Sequence, residues 1–562
     1  MQHSVEFSVA FWKRHHGWYR WLGGLVIGSV TLACSGSDAK NSNPHPINTV
    51  PPGTNPVGAL PAAACTDEGG SDALGTLQLV ATLFDRWHEA WLGSPAVADL
   101  DGDGTNEIIV PRDEVLLIWH MDGTLVRKLE GMPGRIWAPP VVADLRPDLA
   151  GLEVAVASRG QISAWDARGN ALPGFPVKWR DEMRSLAAED IDGDGQLELV
   201  AGTTSDLNAN GQTDMLVAVN ADGTTVQGFP PNTTGASGCD SHCYVHAGYD
   251  QNVALGDLDG DGKADILLPQ DNAYVSLHAG NGRAFDAASI FHGATKFMGV
   301  RFLHDYALAQ QGYANDEETA NQAHFTNTAP AIADVDGDGK NEIVMVGSVQ
   351  NASQTDRLRG VGLWVVRNDG TRPDAWVTPF HAPDYLDGLW DLGDTNIVAT
   401  TNQVTVVDLD PSSPGLEYVF SGFDGRIHAV TSNNQELWKQ TFTDRAGILT
   451  GGIVAADLTK DGRPELIFNT YSTDSGVSNL FILGANGALL QQVPLPDRGA
   501  MPVPTVADVD GDGVLEIVVS LKDGVDKVRQ VLVYKVPGSG TKCLPWPTGR
   551  GNLWRNGHVV FK

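Results

Sequence analysis

At 562 residues the chain is too long for one ordinary core, so it holds several domains or one large repeat array. It carries 38 basic against 69 acidic residues, a formal charge of −31, which leaves no basic field to recruit nucleic acid or anionic lipid. Its 64 Gly and 31 Pro, with 42% apolar residues, suit a folded protein of many short strands and tight turns.

Residues 1–34 read as a targeting segment. Lys13, Arg14 and Arg20 form a basic region, and the apolar stretch from Leu22 to Ala33 is too short for a permanent bilayer-spanning helix. Thr31-Leu32-Ala33-Cys34 resembles the lipobox of bacterial lipoproteins, with Thr31 where that pattern has Leu. The resemblance implies that Cys34 becomes the lipidated first residue of the mature chain. An ordinary secretory signal with an incidental cysteine is the alternative. The expected location is therefore outside the cytoplasm, on the outer membrane or cell surface, with membrane contact only through the lipid. Residues 35–64, rich in Pro, Asn, Ser and Gly, have little to bury and are expected to act as a disordered tether.

Four further cysteines remain in the folded region, 65–562. An even number in an exported chain points to disulfides, whose connectivity a sequence leaves open. Cys65 and Cys543 lie at the two ends and are paired here by position, as are Cys239 and Cys243. With His242 and His246, the latter pair is alternatively a two-Cys, two-His transition-metal site.

The dominant feature begins at Pro95, where a short apolar run leads into Asp99, Asp101, Asp103 and Glu107. The same spacing returns at Asp190, Asp192, Asp194 and Glu198, and at Asp257, Asp259, Asp261 and Asp265. Two more copies are Asp334, Asp336, Asp338 and Glu342, then Asp508, Asp510, Asp512 and Glu516. A weaker copy has Asp457, Thr459, Asp461 and Glu465, and degenerate ones surround Asp144/Asp148/Glu153 and Asp408/Asp410/Glu417. Glycines at the fourth and sixth positions let the backbone coil so that alternate side chains converge. Carboxylates so crowded repel one another unless a cation sits among them. Oxygen-only, flexible ligation selects a hard ion, calcium ahead of magnesium. The seventh residues, Thr105, Gln196, Lys263, Lys340, Arg463 and Val514, are expected to add a backbone carbonyl. Simple Asp-Gly hairpin turns would not keep the fourth carboxylate in register five times over. A further candidate with the same oxygen spacing, and weaker for its two asparagines, is Asp206, Asn208, Asn210 and Asp214.

No helix follows these loops. Each runs into β-branched residues such as Ile108-Ile-Val or Ile517-Val-Val, then a third strand, a tight turn such as Asp122-Gly123 or Asp369-Gly370, and a fourth strand. Units of four antiparallel strands at such periods point to a propeller. The pattern resembles the FG-GAP/VCBS repeat family, best in Val253-Ala-Leu-Gly-Asp-Leu-Asp-Gly-Asp-Gly-Lys-Ala-Asp265-Ile-Leu-Leu. That resemblance, over about 90–535, implies an all-β, integrin-alpha-like β-propeller with several calcium ions in the loops after the innermost strands. Eight units are countable, from Pro95, Pro140, Ser185, Val253, Pro330, Val404, Ile453 and Pro504; seven blades is the alternative if the copy around Asp408 is incomplete. The last unit lacks an outer strand, which residues 76–84 are expected to supply, and 536–562 forms a closing segment.

The interruption at about 271–329 contains His292, Lys296, Arg301, His304 and Asp305; it is either a cap with a binding site or a structural insertion. Trp91 and Trp137 at strand starts are candidates for lining a channel that stacks sugars, or for ordinary core. The sequence shows no nucleophile elbow, HExxH helix, phosphate loop or dinucleotide fingerprint, and no catalytic residues are assigned. Fold alone leaves function open. The expectation is a cell-surface, calcium-binding scaffold for adhesion or for a protein or polysaccharide ligand. The alternative is a calcium-dependent, lyase-like enzyme on polysaccharide, with an accessory subunit of an envelope complex as a third reading.

Overall fold

Glu107–Arg112 is buried at every residue, and its β-branched side chains point alternately to two neighbouring sheets. Ile108 and Val110 pack with Val518, Val531 and Val533, whereas Ile109 packs with Val142, Val154 and Val156 on the other side. A strand buried on both faces reads as a continuous apolar run, and this sandwiching recurs around the molecule. Each Val, Leu or Ile so buried contributes about 1.5–3 kcal/mol.

The computed structural model describes residues 60–560 apart from 72, 204–213, 240–251, 313–319, 352–357, 387–400 and 524–529. The lipidation candidate Cys34 and the whole of 1–59 lie outside these residues, as do Asp206, Asn208, Asn210 and Cys243. Among the described residues no helix is long and apolar enough to cross a membrane.

Eight antiparallel sheets form a ring: the fold is an eight-bladed β-propeller. The innermost strands of blades 1 to 8 are Ala96–Ala98, Val141–Ala143, Ala187–Glu189, Ala254–Gly256, Ala331–Ala333, Thr405–Val407, Val454–Ala456 and Thr505–Ala507. Each contacts the next, and the last contacts the first. The unit around Asp408 is a full four-stranded blade, which rules out the seven-bladed alternative. Blade 8 takes its outer strand from the other end of the chain: Gln78–Leu83 pairs antiparallel with Val531–Lys535, as the missing strand required. Cys65 and Cys543 are joined by a disulfide with their Cα atoms 5.5 Å apart, so the two ends are tied at the same place. Cys239 is disulfide-bonded too.

The closing segment does more than close the ring. It runs through the centre and hydrogen-bonds to one innermost strand after another. Trp546 O accepts from Ala455 N, Pro547 O from Val506 N, Leu553 O from Val142 N and Trp554 O from Ala188 N. Asn556 O then accepts from Leu255 N, and Gly557 O from Ile332 N. Blade 1 is held by Arg555, whose Nη2 donates to Pro95 O at 3.0 Å, and blade 6 by Ala63 O, which accepts from Asp408 N. The tail and residues 60–65 thus satisfy inner edges that would otherwise face a channel.

The interruption is shorter than 271–329, because Val275–His278 is the third strand of blade 4. The residues after that strand pack as core. Phe297, Phe302 and Phe325 stack edge-to-face, and Phe325 meets Trp364 of blade 5 at 5.8 Å. Arg301 is fully buried and donates to Gly312 O at 2.9 Å, while His304 packs on His381 and Trp364. Within the described residues the segment is a structural insertion that extends the core between blades 4 and 5.

Candidate metal centres

Each acidic loop begins at the C-terminal end of an innermost strand. Its first carboxylate organises the turn. Asp99 Oδ1 accepts from Gly102 N and Asp103 N, and Oδ2 from Gly104 N, at 2.8–3.1 Å. Gly102 and Gly104 have φ of 76° and 89°, left-handed values that glycine adopts without strain. Asp190, Asp257, Asp334 and Asp508 accept from the equivalent amides. The fifth carboxylate accepts from the amide of the seventh residue, as Asp103 does from Thr105, Asp194 from Gln196, Asp261 from Lys263, Asp338 from Lys340 and Asp512 from Val514.

The ninth residue starts the second strand, and it is anchored by one oxygen. Glu107 Oε2 accepts from Leu100 N at 2.9 Å, Glu198 from Ile191 N, Asp265 from Leu258 N, Glu342 from Val335 N and Glu516 from Val509 N. The other oxygen faces His120 Nε2 at 3.0 Å in Glu107 and the Lys535 ammonium at 3.1 Å in Glu516. Carboxylates accordingly converge to within 4.8 Å in five loops: Asp99/Asp101/Asp103, Asp190/Asp192/Asp194, Asp257/Asp259/Asp265, Asp334/Asp336/Glu342 and Asp508/Asp510/Glu516. Burial, with the neighbouring carboxylates adding to it, pushes Glu198 and Asp265 up to about 8 and Glu342 up to about 7. Oxygen-only sets with crowded negative charge fit a hard divalent cation.

In some loops the chain itself supplies part of the counter-charge. In blade 8 the Lys535 ammonium lies 2.9 Å from Asp510, 2.6 Å from Asp512 and 3.1 Å from Glu516. In blade 2 Arg146 forks onto Asp148 with two 2.8 Å bonds, and Arg463 reaches Asp410 in blade 6 at 3.1 Å. In blade 7 Thr459 donates to the free oxygen of Glu465, and Glu68 and Gly70 cover the loop through bonds to Lys460 O. Asp457, Asp461 and Glu465 are not brought into such a trio. Asp214 is spent differently: it accepts from Asn232 N at 2.6 Å and Thr233 N at 2.7 Å, and from the Thr233 hydroxyl, at the start of a short helix.

Sequence reasoning missed Lys535 because it comes from the third strand, opposite Glu516 in register. It also missed the links between loops. Asn106 donates to Asp508 O, Asn341 to Asp257 O and Lys263 to Asp192 O, each at 2.6–2.7 Å. Adjacent loops are therefore mechanically joined along one face of the ring.

No protein-family model matches the chain, and no curated protein matches it. Solved structures similar to it include the Vibrio cholerae biofilm matrix protein Bap1, 14% identical, with a TM-score of 0.37 over 86% of this chain and 96% of that one. The exotype rhamnogalacturonan lyase YesX is 15% identical, with a TM-score of 0.49 over 86% and 81%. The quinohemoprotein alcohol dehydrogenase of Comamonas testosteroni is 10% identical, with a TM-score of 0.48 over 85% and 79%. At such levels the fold rests on the strand pairing itself, and no activity is carried over.

Proposed function

We propose that this is an exported calcium-binding propeller of the FG-GAP/VCBS type that serves as a lipid-anchored scaffold, adhesive or ligand-binding, at the cell surface. The observation that carries the reading is the convergence of three carboxylates to within 4.8 Å in each of five loops on one face. Calcium bound there, by oxygen from the loop carboxylates and the seventh-residue carbonyls, stiffens the turns that join first and second strands. Hydrogen bonds from Asn106, Asn341 and Lys263 pass that stiffness to the neighbouring loop. A rigid rim of this kind suits the presentation of a surface to a partner. Filling of the centre by the chain's own tail confines partners to the two faces and the outer edges.

Calcium-dependent capture on protein and glycan arrays by the purified protein tests the scaffold role. Equal binding in chelator would remove calcium from it. Release of unsaturated uronate, monitored by absorbance, would replace the scaffold by the lyase reading. Anchoring is tested separately: Cys34→Ser should move the protein from the membrane fraction to the soluble fraction or medium, and retention after a high-salt wash overturns the lipid anchor.

A further inference from the structure

Blades 3 and 4 have no outer strand among the described residues. After Leu216–Val219 the chain makes a turn and the short helix Pro231–Thr234, and after Val275–His278 it turns through 279–283 into the insertion. Where those strands are missing, the surface between the two acidic loops opens into a groove with room for about 1000 Å³. Asp192 and Asp194 reach it from blade 3, and Asp261 and Asp265 from blade 4. The groove is preformed. Lys263 Nζ donates to Asp192 O at 2.6 Å and Ala264 N to Asp190 O at 3.1 Å, which holds the two loops side by side. A Cβ added at Gly228 would run into Asn281 O, and one at Gly280 into Ile191 O, so the two blades meet there backbone to backbone.

Three further side chains of the groove are exposed, and all come from the turns that follow the third strands: Gln227, Asn281 and Arg283. The Gln227 amide and the Arg283 guanidinium donate to no described residue, and Arg283 lies 5.5 Å from the Phe285 ring centroid. Asn281 Oδ1 accepts from Arg283 N at 3.0 Å, which fixes that side chain and leaves its Nδ2 free. Charge narrows the choice of occupant. Each loop has four carboxylates, Asp190/Asp192/Asp194/Glu198 and Asp257/Asp259/Asp261/Asp265, so one divalent ion per loop leaves both walls negative and opposed to an anion. Lys263 and Arg283, inside the same groove, oppose a cation. The apolar lining is Ile191 and Val226, both buried, with Ala236 and Ala279, so the side chain of a docked peptide finds no pocket.

We propose that this groove binds a neutral oligosaccharide. Sugar hydroxyls both donate and accept, which suits a lining that offers hydrogen bonds of both senses with little net preference for either charge. Arg283 and Asn281 donate to hydroxyl oxygens, and Gln227 both donates and accepts. Clefts for small ligands run to about 300–1,000 Å³, so the groove holds several rings of a chain rather than a single sugar. The inference names a ligand class for the scaffold reading and rests on that reading only for the calcium in the walls.

The test is saturation-transfer NMR and calorimetry of the calcium-loaded full chain with malto-, cello-, manno- and chitotetraose, and with tetragalacturonate and tetralysine as charged controls. At least one neutral tetrasaccharide should bind, more tightly than its monosaccharide, and neither charged control should displace it. Arg283→Ala should weaken that binding by about tenfold or more, the scale of a lost hydrogen bond to a charged group, and Gln227→Ala by about severalfold. Both positions are exposed, so the melting temperature should not move. Arg168→Ala, at the corresponding exposed turn of blade 2, should leave binding intact. No binding across the panel, displacement by either charged control, or full binding by Arg283→Ala overturns the site. Sugar binding with a melting temperature indifferent to calcium fails the calcium reading alone; a calcium-dependent melting temperature without sugar binding fails this inference alone.

Discussion

The two faces of the ring make a natural comparison. On one, Asp and Glu side chains crowd in five loops where only blade 8 sets a lysine among the converging carboxylates. On the other, guanidinium groups crowd with too few carboxylates, and Arg550 has none among the described residues. The acidic face repeats because it is written into a nine-residue motif carried by blades 1, 3, 4, 5 and 8. The arginine pair occurs once, because Arg550 and Arg555 belong to the single tail that threads the ring.

The largest expected effect breaks the acidic face. Each site bound at a hundred times its dissociation constant adds about 2.7 kcal/mol, so several sites together should raise the melting temperature by many degrees. Calorimetry in calcium and in excess chelator checks this, and coincident curves would remove the metal from the fold. The pH response in chelator has a definite sign. Glu198 and Asp265, raised to about 8, and Glu342, raised to about 7, favour the protonated form when folded. Their contribution is full below the ordinary carboxylate range and is lost as pH rises through 7–8. Metal-free protein should therefore melt lower at pH 8 than at pH 5, and saturating calcium should reverse the order.

How much of this was legible depends on what is local. The loops and their flanking strands could be read directly, since ligand spacing, glycines and β-branched runs all lie within some fifteen residues. The outer strand Gln78–Leu83 was legible as a debt, because blade 8 otherwise ended on an unpaired edge. The threaded tail was not: residues 543–560 have no periodicity, and their partners are single amides scattered over the ring. Trp91 and Trp137 read in the sequence either as the lining of a sugar-stacking channel or as ordinary core; in the structure their rings carry Arg135, Lys522 and Arg184. The 271–329 interruption reads as either a cap or a structural insertion, and its bounds are too wide because its strand Val275–His278 is only four residues long.

The next effect in size bears on the disulfide beside the blade 7 loop, where Cys543 O accepts from Asp457 N. The Cys65–Cys543 bond spans 478 residues, for which chain-entropy models give about 5 kcal/mol, and typical measured gains are about 2–4. Cys543→Ser should lower stability to chemical denaturation by an amount in that range, with circular dichroism unchanged because Gln78–Leu83 still closes blade 8. An unchanged midpoint would mean that strand pairing alone holds the ring.

The smallest effect is also the sharpest, because its sign changes with conditions. Blades 4 and 8 carry the same motif. In blade 4 the pairing of Ile266 with His278 brings Ala279 opposite Asp265, whereas in blade 8 Lys535 lies opposite Glu516. The ammonium already sits among Asp510, Asp512 and Glu516 and offsets one charge, so a calcium ion entering blade 8 must displace it. Lys535→Met keeps the stem that packs on the strand and removes that competition. In calcium the variant should gain affinity at one site, about tenfold for each 1.4 kcal/mol of competition removed. In chelator it should instead melt below the parent, by up to about 1 kcal/mol for a partly exposed pair, since three carboxylates then face one another alone. Isothermal titration for the first and thermal melts for the second decide it. A variant that melts lower in both conditions would show that Lys535 is a structural partner in a blade that takes no ion.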